Sequence, residues 1–250
     1  MVPRLVAHRG WARRWPENTV ESLMAAVDAG ADHVEFDVQL SADGVPILLH
    51  DATLERTAGR PGCAMDMNWE ELQHISVGET ARLGDACPGA RLPSLSLICE
   101  WLATEPGVTA FVEIKTESLS RFGVERVLEP CLDLLSPILE RCVVTSFSHE
   151  VLLEASHRPE VIIAWVLESW GPESLARAET LAPEYVFCNH RKLPEGLTSL
   201  PKSGWHWVLY EVADADLAME LAARGAGYIE TMAIGDLLKD PRFSPGSAPC

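Results

Sequence analysis

The stretch Leu5-Val-Ala-His8-Arg9-Gly10, Trp15-Pro16-Glu17-Asn18-Thr19, His33-Val-Glu35-Phe-Asp37-Val, Asp43-Gly44 and Pro46-Ile-Leu-Leu-His50-Asp51 decides how the chain is read. Short runs rich in Val, Ile and Leu read as buried strands. His8, Glu35, Asp37 and His50 therefore stand at or near the C-terminal ends of strands, where a parallel α/β barrel keeps its chemistry. Length alone allows one large domain or two small ones, and 250 residues is about what a (β/α)8 TIM barrel requires. The expected fold is α/β, a single barrel domain over residues 1–250 with a small insertion after the second strand region, at about 51–93. There the strand and helix rhythm gives way to the loops Gly59-Arg-Pro-Gly62 and Gly84–Gly89 around a short helix from Asn68 to Ile75.

Glu35 and Asp37 lie two apart on a strand, so both side chains point to one face. Two carboxylates held together repel unless a cation sits between them. Oxygen ligands favour Mg2+ or Ca2+ over zinc. His8 and His50 come from different strands, an arrangement suited to proton transfer on opposite sides of a reacting group. Arg9 offers a forked donor to an anionic oxygen. A lone Glu-x-Asp pair is ordinarily a solvated face, but two histidines, two carboxylates and His-Arg-Gly at strand ends within some fifty residues point to a site.

His8-Arg9-Gly10, Pro16-Glu17-Asn18-Thr19, Glu35-Phe-Asp37-Val, Asp43-Gly44 and His50-Asp51, followed by Leu54-Glu55-Arg56-Thr57, resemble the signature of the glycerophosphodiester phosphodiesterases. The likeness is greatest to the cytosolic bacterial enzymes, strong to about Trp69 and carried by separate landmarks beyond. It implies metal-dependent hydrolysis of a glycerophosphodiester to glycerol 3-phosphate and an alcohol, with His8 and His50 as the acid/base pair. The attacking oxygen is left open between water and the glycerol's own hydroxyl, which would give a cyclic phosphate first. On the segment Val108-Thr-Ala-Phe-Val-Glu113-Ile-Lys115, the resemblance gives Glu113 as the third metal carboxylate beside Glu35 and Asp37, and Lys115 with Arg9 as substrate-binding cations. Glu17 becomes a supporting residue that orients Arg9 or a histidine, and Trp207 an apolar wall beside the glycerol. Ser146-Phe147 matches a further landmark. Tyr210 departs from the pattern where a small polar residue commonly follows the tryptophan, and Thr231 where an aspartate is frequent. The alternatives are a lysophospholipase D-type or other phosphodiesterase on the same site, and a non-catalytic phosphodiester-binding barrel. No amphipathic membrane-binding helix favours the first, and the presence of every central group argues against the second.

Elsewhere the chain alternates. Pro16 and Glu17 open a predicted helix to about Asp28, and Ser94 caps another to about Thr104. Val45–Leu49 reads as a strand delivering His50. Strands follow at Arg141–Ser148, Val161–Trp165, Tyr185–His190, Gly204–Tyr210 and Gly227–Thr231. Asn189 is placed at the mouth and His190 in a loop, and the tail from Pro241 is expected to fray.

A formal net charge of −17 argues against a broad nucleic-acid surface, so a small-molecule glycerophosphodiester is the expected partner. The seven cysteines are scattered, odd in number and without a Cys-x-x-Cys pair, which reads as reduced thiols in the cytoplasm. The start of the sequence shows no apolar signal region, and no run approaches the ~18 apolar residues of a membrane span. Neither secretion nor stable membrane insertion is expected. Oligomeric state has no signature.

Overall fold

Strand β1, Arg4–His8, pairs in parallel with both β2, His33–Leu40, and β9, Tyr228–Thr231, and this double pairing closes the sheet on itself. The computed structural model describes residues 2–243. Around the barrel follow β4, Thr109–Ile114, β5, Cys142–Ser146, β6, Ile162–Val166, β7, Tyr185–Asn189, and β8, His206–Tyr210, all parallel. The remaining strand, β3, Pro46–Leu48, lies outside the barrel as an antiparallel partner to the end of β2. This closed eight-strand parallel barrel with outer helices is the (β/α)8 architecture.

β3 is not the barrel strand that the apolar run Val45–Leu49 suggested. Its connection from β2 is a tight turn, with the Ser41 hydroxyl donating to Asp43 Oδ1 at 2.6 Å and accepting from the Val45 amide at 2.9 Å. A parallel crossover needs about a dozen residues, and this connection is far shorter. His50 consequently reaches the mouth from a bend beyond β3.

Alternation along the strands sorts the interior. Val6, Phe111, Val143, Ala164, Val166, Phe187, Val208 and Tyr228 fill the barrel. Beneath them, Tyr185 stacks edge-on against Phe111 and Tyr228, with ring centroids at 5.1 and 5.3 Å. The barrel is thus plugged by packed rings. Polar groups have room only at the C-terminal ends.

The outward residues of the same strands, among them Val34, Phe36, Val112, Val144, Ile163 and Leu209, form the larger core with the helices. Helix Leu95–Thr104 starts at Ser94, whose side chain accepts from the Leu97 amide. Helix Ala215–Ala223 starts at Asp214 in the same way. No α-helix follows β7. A short 3₁₀ turn, His190–Lys192, and coil lead on to β8.

Between β3 and helix Leu95–Thr104 the chain makes short helices at Glu55–Ala58, Trp69–Leu72 and Thr80–Leu83 over a small core of Ile47, Leu54, Leu72, Ile75, Val77 and Leu92. We propose that it is an insertion of the barrel domain. The buried Glu79 accepts the Glu17 amide at 2.7 Å, while Arg82 donates to the Ala12 and Trp15 carbonyls. This excursion therefore grips the loop after β1. Most of the predicted fraying tail, 244–250, lies outside the described residues.

Candidate active site

The loop after β1 turns sharply. Arg9 and Gly10 both take left-handed backbone, φ 55° and 78°. A Cβ on Gly10 would stand 2.4 Å from the Ser22 hydroxyl, so only glycine lets this turn meet helix Val20–Asp28. The turn aims the Arg9 amide at Glu35 Oε2, 3.0 Å away. The helix begins later than Pro16 and Glu17 suggested: Asn18 is also left-handed, φ 54°, and Thr19 is the N-cap. Glu17 and Asn18 are thereby free to face the site.

Glu35, Asp37 and Glu113 come together because β2 and β4 pair in register, Asp37 opposite Glu113. One oxygen from each lies within 4.8 Å of the others. Asp37 is fixed by Asn18, which donates Nδ2 to Oδ2 at 2.8 Å and accepts the Asp37 amide at 3.0 Å. Arg9 Nε lies 3.1 Å from Asp37, and Lys115 Nζ lies 3.3 Å from Asp37 and 2.6 Å from Glu113. Burial pushes the Asp37 carboxyl up, but Arg9 and Lys115 outweigh it and hold it well below the usual range. Burial and the Asp37 charge push Glu113 up to about 7. Glu35 is driven well up by burial, then by Asp37 and Glu230.

That conflict is what a divalent cation resolves. The donors are all oxygen, and Glu35 Oε1 and Asp37 Oδ1 are buried without a hydrogen bond. The residues therefore fit a hard cation such as Mg2+ or Ca2+.

One polar chain ties His50 to Asp37, and His8 stands apart from it. His50 Nδ1 meets Asp51 at 2.6 Å, Asp51 accepts from Arg56 at 2.6 Å, and Arg56 forks onto Glu17 at 2.7 and 2.8 Å. Glu17 accepts Arg9 at 2.9 Å, and Arg9 returns to Asp37. A proton held on Nδ1 by Asp51 leaves His50 Nε2 as the exchanging position. His8 Nε2 lies 3.8 Å from Glu35 and 3.9 Å from Glu230, and its Nδ1 has no partner. Burial and the neighbouring Arg9 lower its pKa well below the ordinary value.

These groups open into a cavity of about 280 Å³ lined by His8, Arg9, Glu35, His50, Glu113 and Lys115 together with Phe147, Phe187, Asn189, Tyr210 and Glu230. The structure thus brings His8, His50, Arg9, Glu35, Asp37, Glu113, Lys115 and Glu17 together. Trp207 is elsewhere. It points outward from β8, packs against Trp170 and Trp205, and donates Nε1 to the Pro201 carbonyl at 3.0 Å. Strand alternation puts Val208 and Tyr210 on the inner face instead.

Sequence reasoning missed Glu230, Asn18 and Gln39. Gln39, on the inner face of β2, donates to the His50 carbonyl at 3.1 Å and is itself held by Ser118. Glu230 was legible only as the inward position of β9. Its neighbour Thr231 turns outward and accepts the Ala233 amide at 3.0 Å.

The profile of the glycerophosphoryl diester phosphodiesterase family matches residues 8–226. The chain belongs to this family. It is an enzyme of that type. A glycerophosphodiester phosphodiesterase of Caldanaerobacter subterraneus is 29% identical over 82% of this chain and 83% of its own length. Rat glycerophosphodiester phosphodiesterase 1 is 34% identical over 72% of this chain, which spans only 53% of that relative. Among solved structures, an Oleispira antarctica phosphodiesterase in complex with its product sn-glycerol-3-phosphate superposes with a TM-score of 0.83 at 23% identity, covering 94% of this chain and 95% of that one. At that identity the likeness speaks for the fold. Among the described residues no helix is long and apolar enough to cross a membrane.

Proposed function

We propose that this phosphodiesterase hydrolyses small glycerophosphodiesters to glycerol 3-phosphate and a free alcohol, using a divalent cation and the histidine pair His8 and His50. The observation that carries the reading is the buried group Glu35, Asp37 and Glu113, with Glu35 Oε1 and Asp37 Oδ1 without a hydrogen bond, at a cavity that two histidines also line.

Glu35, Asp37 and Glu113 would hold Mg2+ or Ca2+, which supplies Lewis-acid polarisation of a phosphoryl oxygen. Arg9 and Lys115 offset charge on the remaining oxygens. One histidine takes the proton of the attacking oxygen as it bonds to phosphorus. The other gives a proton to the alkoxide as the bond to the alcohol breaks, so that atoms and charge balance. Asp51 holds His50 in the tautomer this exchange needs, and Glu17 steadies Arg9 and Arg56 together.

The test is release of glycerol 3-phosphate from glycerophosphocholine, glycerophosphoethanolamine and glycerophosphoglycerol, with EDTA and with Mg2+ or Ca2+ restored. Turnover abolished by EDTA and restored by one cation is expected. Turnover indifferent to EDTA would remove the metal from the reading, and silence on all three diesters would remove the substrate.

A further inference from the structure

Glu230 is 3% exposed, yet among the described residues its carboxylate takes no hydrogen bond, and its ion-pair contact is His8 Nε2 at 3.9 Å. Glu230 lines the cavity, so the donor it lacks can come from a ligand.

The cations nearby are engaged elsewhere. Arg9 is spent on Glu17 and Asp37, and Lys115 on Glu113 and Asp37. Lys192, at the rim, turns its Nζ to the Glu168 carbonyl at 2.6 Å. Of the neutral groups, the Thr145 hydroxyl donates to the Val143 carbonyl and Asn189 Oδ1 accepts the Arg191 amide, which leaves the Asn189 side-chain NH2 and the Tyr210 hydroxyl as uncharged donors at the cavity. The charged surface left without a protein cation around Glu230 is carboxylate, and beside it stand aromatic rings. Tyr210 and Phe187 face inward on the neighbouring strands, and Glu211 stands at the mouth with Arg191 3.4 Å away.

Aromatic faces beside a carboxylate are the chemistry that holds an ammonium. We propose that Glu230, with Tyr210 and Phe187, receives the cationic end of the leaving alcohol, so that glycerophosphodiesters of amino alcohols are preferred over those of neutral polyols. In such a diester only two carbons separate the nitrogen from the ester oxygen. Phosphoryl group and ammonium therefore share one small cavity. This inference rests on the hydrolytic reading above and adds to it a substrate class and the residue that selects it.

The experiment compares kcat/KM for glycerophosphocholine and glycerophosphoglycerol in the unmodified enzyme and in Glu230→Gln, with choline and glycerol tested as inhibitors of the unmodified enzyme. The choline diester is expected to lead by about tenfold or more, Glu230→Gln to erase most of that ratio, and choline to compete where glycerol does not. A ratio near one in the unmodified enzyme, or an equal loss on both diesters in Glu230→Gln, would overturn the proposal while leaving hydrolysis intact. Silence on both diesters would instead remove the hydrolytic reading, and this inference with it. Because His8, Glu35 and Glu230 also lie within 4.8 Å of one another, calorimetric titration with Mg2+ is run in parallel. Two cations per chain, falling to one in Glu230→Gln, would assign the carboxylate to a second metal and overturn the proposal. If Glu230→Gln loses its native circular dichroism, the inhibition pattern of the unmodified enzyme decides alone.

Discussion

His50 and Asp51 share a hydrogen bond of 2.6 Å, and Asp51 is itself anchored by Arg56. Burial would raise the Asp51 carboxyl, but Arg56 and His50 bring it down to about 2, so it is ionised wherever the enzyme would work. Replacing Asp51 by Asn frees the imidazole to rotate and to choose the wrong tautomer. We expect kcat to fall about 10- to 100-fold, as for other residues that orient a working histidine, with KM little changed. A KM effect without loss of kcat would place Asp51 in binding instead. The histidines themselves should cost more. His8→Ala and His50→Ala are each expected to lower kcat by about 10²–10⁴-fold in steady-state assays. Near-normal turnover in either would take that residue out of proton transfer.

The element that most constrains the site is the turn after β1. Arg9 and Gly10 in left-handed backbone, with Gly10 pressed against Ser22, place the Arg9 amide on Glu35 and its guanidinium on Asp37. Gly10→Ala would meet both the conformational strain and the Ser22 contact. Stability should drop by about 1–3 kcal/mol, read as a lower urea midpoint with unchanged slope. An unchanged midpoint would mean that the turn can move away from Ser22 at no cost. The same element is clamped from outside by Glu79 and Arg82, so the excursion after β3 contributes to the site without supplying a ligand.

At the scale of the whole molecule, an acidic chain gathers carboxylates at the mouth of a barrel whose floor is closed by aromatic rings. The native state keeps those carboxylates together and the unfolded chain does not. A divalent cation should therefore stabilise the fold. At about 100 times its Kd the gain is about 2.7 kcal/mol, roughly 5–10 °C in Tm for a domain of this size. Differential scanning calorimetry with EDTA against Mg2+ or Ca2+ checks this, and Glu35→Gln should shrink the shift. A Tm indifferent to every divalent cation would count against the carboxylate group as a metal site.

The sequence by itself determined the barrel, through short apolar runs that end on titratable residues, and with the family resemblance it singled out His8, Arg9, Glu35, Asp37, His50, Glu113 and Lys115, which the fold brings to one place. Strand periodicity is a local property, and it puts Glu35 and Asp37 on one face without knowledge of any neighbour. Tertiary structure decided the rest because the rest depends on register and on chain direction. Whether Val45–Leu49 entered the barrel turned on a connection too short for a crossover. Whether Trp207 or Tyr210 reached the cavity turned on which face of β8 points inward, a choice that a one-residue shift reverses. Glu230 stands beneath His8 only because β9 closes onto β1 with Val6 opposite Glu230, a contact between the two ends of the chain that no local pattern records.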